Sequence, residues 1–297
     1  MRSAFRVACF GYVNPGVVFA VDAYPAPNTG AYVKAKRPFI GADCAMVAQV
    51  LAAWGVEAHL IGNALGDDAL GHDTLSRLRA LGVHTHLRLD ASLRTPHEVD
   101  IADRAGTRTF FVEDNAPVWE SLKQADLDAI ETADMLYVDW YVGEEAALRA
   151  VTHACAHSVP VFLNVEVSLS QPELHRALIE RATYAQSPMS DVHVHQEDPL
   201  GIAHLLREYG VEVAFVTRGK FGSLALSAAG LIECAAPTVA VVDTQGAGAV
   251  YSAAAIFSLL QGLPLPLVVQ AATHTASLKC AQHELVTPSP LEVLQRA

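Results

Sequence analysis

The sequence predicts an α/β fold, a mostly parallel central sheet with helices on both faces. Three observations carry this. Short apolar runs alternate with segments of helical spacing, most regularly from about residue 135 onward. Such alternation with short connections implies parallel strands covered on both sides. Hydrophobic residues reach 52%, yet no unbroken apolar run approaches the ~20 residues of a membrane-spanning helix. The excess therefore belongs to buried strands and Ala-rich helices. Finally, two extended runs near 31–40 and 97–113 break the alternation and suit a small accessory sheet. No linker or repeat divides the 297 residues, so a single domain over 1–297 is expected.

The elements follow in order. Residues 6–10 form an apolar strand ending at Gly11, and 17–21 continue it after Pro15-Gly16. Residues 32–40 read as a strand of the small sheet. Residues 45–54 have helical spacing and stop at Gly55, a C-terminal signal. A short strand at 59–61 and a helix at 73–81 precede Gly82. Runs at 97–103 and 107–113 flank the turn Arg104-Ala105-Gly106. The regular part then reads strand 135–138, helix 144–157, strand 159–165, helix 172–181, helix 200–209 and strand 213–217. A hairpin of 223–227 and 231–234 follows, then a strand at 239–242, a helix to 260 and a final helix at 265–280.

The formal charge of −12 argues against general nucleic-acid binding, which needs a basic face. The five cysteines are widely spaced without CxxC, so they read as reduced thiols. His84/His86 and His193/His195 have i, i+2 spacing, but without HExxH they read as surface or loop histidines rather than metal ligands. The N-terminus carries no apolar signal core; a cytoplasmic location is expected.

The segment richest in chemistry is Val241-Val242-Asp243-Thr244-Gln245-Gly246-Ala247-Gly248-Ala249. A buried strand is expected to end at Asp243 and turn through small residues into a helix. Glycines admit a ligand close to the backbone, and the first helical turn offers unpaired N–H groups and partial positive charge. Such a site suits phosphate. Close helix–strand packing alone would explain the same glycines. A dinucleotide oxidoreductase is disfavoured, because Gly11-Tyr-Val-Asn-Pro-Gly16 is a poor match to GxGxxG.

Four motifs taken together add to this reading: Asp243-Thr244-x-Gly246-Ala247-Gly248, Val216-Thr217-x-Gly219-x-x-Gly222, Gly66-Asp67-Asp68-x-x-Gly71 and Gly106-Thr-Arg108-Thr-Phe110. In this order, over essentially the whole chain, they resemble the ribokinase/PfkB family of carbohydrate kinases. The resemblance implies a ribokinase-like three-layer domain with a small β-lid from about 31–40 and 97–113. It also implies ATP, Mg²⁺ and phosphoryl transfer to a hydroxyl of a sugar or sugar-like molecule. By the same resemblance Thr217, Gly219, Gly222 and Thr244 lie at the nucleotide, with His274 bordering the adenine. The N–H groups of Gly246, Ala247 and Gly248 form the anion hole. Asn14, Gly41, Asp43, Asp139, Asn164 and Glu166 line the acceptor pocket, and Asp191 serves the metal indirectly. A homodimer through the lid is expected from Tyr32, Val33, Phe39 and Ile40.

The departures from the family pattern carry as much information. The family's proton-accepting aspartate directly after Gly-Ala-Gly is Ala249 here, and alanine cannot take a proton. Loss of such a base removes about 10²–10⁴ in rate. A substrate-binding aspartate of the family falls on Gly16, and an asparagine on Met46. Asp43, Asp139 and Glu166 are candidate substitute bases, although Asp43 could equally cap a helix. Two alternatives stay open at this point: a kinase-fold binding or regulatory protein without efficient catalysis, and a nucleoside kinase.

Overall fold

A computed structural model describes residues 5–104, 108–139, 144–165, 175–189 and 198–296. In chain order the first half comprises β1 (Arg6–Gly11), β2 (Asn14–Ala20), β3 (Ala35–Gly41), α1 (Asp43–Ala53), β4 (Glu57–Gly62), β5 (Leu65–Gly66), α2 (Ala69–Ala80), β6 (His84–His86), β7 (Leu89–Asp90), β8 (Glu98–Ala102), β9 (Arg108–Val112) and α3 (Ala116–Ser121). The second half comprises β10 (Met135–Asp139), α4 (Glu144–Ala156), β11 (Val161–Asn164), α5 (Arg176–Ile179), β12 (Tyr184–Pro188), α6 (Pro199–Glu208), β13 (Val213–Thr217), β14 (Ser223–Ser227), β15 (Gly230–Cys234), α7 (Ala247–Leu260), α8 (Leu265–Cys280) and α9 (Pro290–Arg296).

The central sheet runs β15-β14-β13-β12-β11-β10-β1-β4-β6. It is parallel from β13 to β6, with the β14–β15 hairpin added antiparallel at one edge. The period of two along a strand divides each apolar run between two cores. Val7 and Cys9 join Leu60, Tyr137, Phe162 and Phe215 on the face covered by α1 and α7. Ala8 and Phe10 join Ile61, Val138 and Leu163 on the face covered by α4 and α6. Helix α7 packs against both α1 and α8 and buries ten consecutive residues from Ala249 to Ser258. Hence its sequence is apolar all round, as a helix enclosed on every side requires. Among the described residues no helix is long and apolar enough to cross a membrane.

The second sheet, the lid, has the order β3-β2-β8-β9. Its strands include the expected hairpin β8–β9, antiparallel with Ala102 opposite Arg108. It also takes β2, which the sequence places as a continuation of β1. The chain turns instead at Tyr12–Val13, where Asn63 Oδ1 accepts the Val13 N–H at 2.6 Å, and β2 pairs with β3 and β8. Residues 31–34, expected in a strand, lie outside β3.

Two further expectations are corrected. Residues 239–242 are not a buried strand; Val241 and Val242 are 57% and 43% exposed. The β14–β15 hairpin has already taken the sheet edge, so this segment is held instead by hydrogen bonds from the N–H groups of Val242 and Asp243 to Cys280 O at the end of α8. Conversely β12, Tyr-Ala-Gln-Ser-Pro, escapes sequence reading because Gln186 and Ser187 interrupt its apolar pattern, although both are buried. The Gln186 Oε1 accepts there from the Ser252 hydroxyl of α7. All five cysteines are free. The expected helix 172–181 is described only from residue 175, and there α5 spans Arg176–Ile179.

Candidate active site

The site lies at the C-terminal ends of the parallel strands, where open α/β sheets gather ligand-binding loops. A cleft of about 540 Å³ is lined there by Thr217, Gly219 and Gly222 after β13, by Thr244, Gly246, Ala247 and Gly248 at the start of α7, and by Thr273, Ala276 and Ser277 of α8. A second cavity of about 220 Å³ opens beneath the lid, lined by Tyr12, Asn14, Phe39, Gly41, Asp43, Met46, Glu98, Phe110, Trp119 and Gln245. Asp43, Arg108 and Gly246 line both. The larger cleft and the smaller cavity therefore meet at a carboxylate, a guanidinium and the first turn of α7.

The glycines of the larger cleft are required by geometry. Gly222 has φ +87°, and a Cβ there would sit 2.0 Å from Cys234 O, a backbone atom that cannot move aside cheaply. Gly246 caps α7 in the left-handed region, at φ +75°. The first intrahelical bond runs from Val250 N–H to Gly246 O at 2.9 Å, so the N–H groups of Gly248 and Ala249 precede it. Ala247 N–H closes a turn onto Thr244 O at 3.2 Å. A Cβ added at Gly248 would meet nothing within 4 Å, leaving room for a ligand atom at the helix terminus. The loop before α7 is fixed from below by Lys279, 1% exposed, whose ammonium donates to Asp243 O at 3.1 Å and to Gln282 O at 3.2 Å. Burial holds this lysine below the usual ammonium range, opposed by the neighbouring Asp243 charge.

The smaller cavity combines aromatic walls with one polar cluster. Tyr12 and Trp119 stack at 4.3 Å with an interplanar angle of 6°. Asn14 donates to Glu98 Oε2 at 2.9 Å. Asp100, fully buried, accepts from Arg108 at 2.9 Å and from Gln245 Nε2 at 2.8 Å. The lid strands are thereby tied to the loop that starts α7. Burial, reinforced by the adjacent Asp100, pushes the Glu98 carboxyl up to about 8. Asp43 accepts from Asn164 Nδ2 at 3.1 Å, and Asn164 also donates to Tyr137 Oη at 3.3 Å.

The residues expected from the sequence separate into groups. Thr217, Gly219, Gly222, Thr244, Gly246, Ala247 and Gly248 line the larger cleft, while Asn14, Gly41 and Asp43 line the smaller cavity. Ala249 is fully buried one position deeper in α7. Asp139 is sealed beneath the site, accepting the Cys44 N–H at 2.9 Å. Asn164 lines neither cavity but donates to Asp43. His274 is not among the lining residues; α8 presents Thr273, Ala276 and Ser277 to the cleft instead. Glu166 and Asp191 lie outside the described residues, as do His193 and His195. His84 and His86 lie on strand β6, where His86 Nε2 and His59 Nδ1 share a hydrogen bond of 2.9 Å.

The motif Gly66-Asp67-Asp68-x-x-Gly71 proves architectural. Asp68 caps α2 by accepting the Gly71 N–H at 2.8 Å, and it also accepts the N–H and hydroxyl of Thr95 at 2.9 and 2.8 Å. A Cβ on Gly71 would lie 2.2 Å from Gly66 O. Gly16 likewise has a local cause: a Cβ there would meet the Phe39 ring at 2.5 Å, so that ring fills the space of any side chain at position 16. Sequence reasoning missed Arg108, Glu98, Gln245 and the aromatic walls. Arg108 had a signal in Gly106-Thr-Arg108-Thr-Phe110; the others became visible only when the lid folded over the sheet.

The chain is similar to several known proteins. A family model described as pfkB family carbohydrate kinase matches residues 5–292. Ribokinase of Bacillus subtilis is 27% identical over 277 residues, covering 92% of this chain and 92% of that protein. Fructokinase of Salmonella typhimurium is 30% identical over 259 residues, covering 81% and 83%. The structure of Arabidopsis thaliana ribokinase complexed with ribose and ATP superposes with a TM-score of 0.77 at 18% identity, covering 99% and 98% of the two chains.

Proposed function

Because the chain belongs to the pfkB family of carbohydrate kinases, we propose that it transfers the γ-phosphoryl group of ATP to a hydroxyl of a sugar or sugar-like acceptor, with Asp43 receiving the hydroxyl proton. The observation that carries this is the shared wall of the two cavities. Among the described residues, Asp43 is the one carboxylate lining both. A base must stand within hydrogen-bond reach of the acceptor hydroxyl, and geometry comes before pKa in choosing it. Ala249 supplies none, and Asp139 is sealed by its bond to Cys44.

The remaining roles follow from charge and position. Phosphoryl transfer depends mainly on placement and on neutralising equatorial oxygen charge. The N–H groups of Gly248 and Ala249, with the positive end of α7, supply that charge without a basic patch. Arg108, anchored by Asp100, faces the junction of the cavities and adds a cation there. The larger cleft fits a nucleotide, because the open space beside Gly248 lets a phosphate approach the backbone. Mg²⁺ would accompany the nucleotide phosphates and offset their charge; Asp191 remains the residue assigned to it. Asn14, Glu98 and Asp43 would grip acceptor hydroxyls, with Tyr12, Trp119 and Phe39 against the apolar ring face. The same aromatic walls favour testing nucleosides beside monosaccharides.

A second reading is a kinase-fold binding protein, favoured by the buried alanine at position 249. The deciding measurement is ADP release in the presence of Mg²⁺ across a panel of monosaccharides and nucleosides. It is paired with thermal shift, since a ligand that binds only the native state raises the melting temperature. Turnover with any acceptor supports the kinase. A nucleotide-dependent shift without turnover supports the binding protein, and neither effect at millimolar ATP overturns both. The function is proposed to be exercised in the cytoplasm. A homodimer is proposed through the outer lid face, where Tyr32 and Phe111 are 87% and 51% exposed. Phe39 and Ile40, expected to join it, do not: Phe39 faces the smaller cavity and Ile40 is buried.

A further inference from the structure

We propose that Glu131, His153 and His157 form a binding site for one Zn²⁺-type divalent cation, at the end of the sheet opposite the candidate active site. One ligand atom from each residue lies within 4.8 Å of the others. Nε2 of His153 and Nε2 of His157 stand 3.4 and 3.6 Å from the same oxygen, Glu131 Oε1. Four donors around zinc at about 2.0–2.2 Å in a tetrahedron are separated by roughly 3.3–3.6 Å. The spacing is therefore that of a chelate edge.

It is not that of a hydrogen-bonded pair. Elsewhere in this chain, His59 and His72 close on their carboxylate partners to 2.9 and 2.7 Å. The Glu131 contacts are longer than good hydrogen bonds, and His153 Nε2 is buried with no hydrogen-bond partner among the described residues. The tautomer of His157 is also favourable. Its Nδ1 is 2.9 Å from His153 O, and a carbonyl can only accept, so Nδ1 carries the proton and Nε2 keeps its lone pair. A carbonyl bonded to the distal ring nitrogen is the usual support for a metal-bound histidine.

The fold creates this arrangement. Positions 153 and 157 are four apart at the end of α4, hence on one face. Glu131 sits in the turn that leads into β10, whose N-terminal end lies away from the candidate active site. The negative end of the α4 dipole favours a cation there. Two imidazoles and one carboxylate suit Zn²⁺, whereas Mg²⁺ prefers an all-oxygen shell, so this site is separate from nucleotide chemistry. A bound ion would pin the end of α4 to the turn before β10, with water in the fourth position.

The test is titration of the untagged, metal-stripped full chain with Zn²⁺ by calorimetry, and with Co²⁺ by visible absorption. One stoichiometric equivalent and a tetrahedral Co²⁺ spectrum are expected, together with a Zn²⁺-dependent rise in melting temperature. His157→Gln and Glu131→Gln alter exposed side chains and should leave the metal-free melting temperature unchanged while weakening binding at least about 10-fold. His84→Gln, in the other histidine cluster, should leave binding intact. Absence of stoichiometric binding, or binding that survives both His157→Gln and Glu131→Gln, overturns the proposal.

Discussion

Restoring the family's carboxylate, Ala249→Asp, tests the division of labour between positions 249 and 43. Residue 249 is the third residue of α7, and helical Cβ atoms lean toward the N-terminus. An aspartate there would thus reach toward the junction of the two cavities. Ala249 is fully buried, so the carboxylate carries a desolvation cost. The helix N-terminus returns about 0.3–1 kcal/mol of it, and up to ~2 in partly buried geometry. A well-placed base contributes about 10²–10⁴ in rate, roughly 2.7–5.4 kcal/mol at 1.36 kcal/mol per decade. Asp43→Asn is the companion variant. An asparagine keeps an oxygen to accept from Asn164 Nδ2, so it removes basicity while leaving the local hydrogen bond available. With the acceptor found by the ADP-release panel, Asp43→Asn should lower kcat about 10²-fold or more with little change in KM for ATP. Adding Ala249→Asp to it should restore at least about tenfold of that loss. The reasoning fails if Asp43→Asn keeps full kcat in a folded protein, or if the double variant is no faster than Asp43→Asn alone.

Other outcomes follow from the buried charges. Glu98 has a folded pKa raised above its unfolded value, so the unfolded state loses its proton first as pH rises. Stability should fall from about pH 4.5 to about pH 8 and then level, and Glu98→Gln, a permanent neutral mimic, should flatten that slope in urea midpoints taken across the range. The histidines at the β4–β6 edge act with the opposite sign. Burial holds His59 and His86 below the ordinary 6.5, so their contribution is intact above that pH and is lost as pH falls through their folded values; the melting temperature should drop on acidification, less so in His86→Gln. Lys279→Ala leaves Asp243 O and Gln282 O without their buried donor and should cost about 1–3 kcal/mol; unfolding indistinguishable from the parent would show that the loop before α7 is fixed by other bonds. Disrupting the outer lid with Phe111→Asp should convert a dimer to a monomer in light-scattering mass measurements, and a monomeric parent would remove the dimer proposal.

Much of the fold was legible because hydrophobic period is a local property. Strands β1, β10 and β13 and helices α1, α4 and α7 each declare themselves by spacing and by glycine stops. The glycines of the larger cleft were legible for the same reason. Gly222 and Gly246 need positive φ whatever surrounds them, and the helix start behind Gly246-Ala247-Gly248 is written in six consecutive residues. The failures have a common cause. Strand β12 carries Gln186 and Ser187 inward, with Gln186 Oε1 accepting from Ser252 of α7, 66 positions away, and residues 239–242 look like a strand but find the sheet edge already occupied. Asp68, part of a motif that carried the resemblance, serves as a helix cap, since its three donors come from Gly71 and from Thr95, 27 positions away.

What the sequence determined alone is thus the layered α/β scaffold, the glycine-built cleft and the absence of a carboxylate at position 249. Each depends on backbone freedom or on side-chain type at one place. Only the tertiary structure decided which acidic residue stands at the meeting of the two cavities, that Phe39 fills the space beside Gly16, and that Asp100 joins the lid to the loop before α7. It also brought Glu131 to His153 and His157. These depend on distances between segments that are 22 to 145 residues apart, and such distances are fixed by packing and closure of the sheet, which no local pattern records.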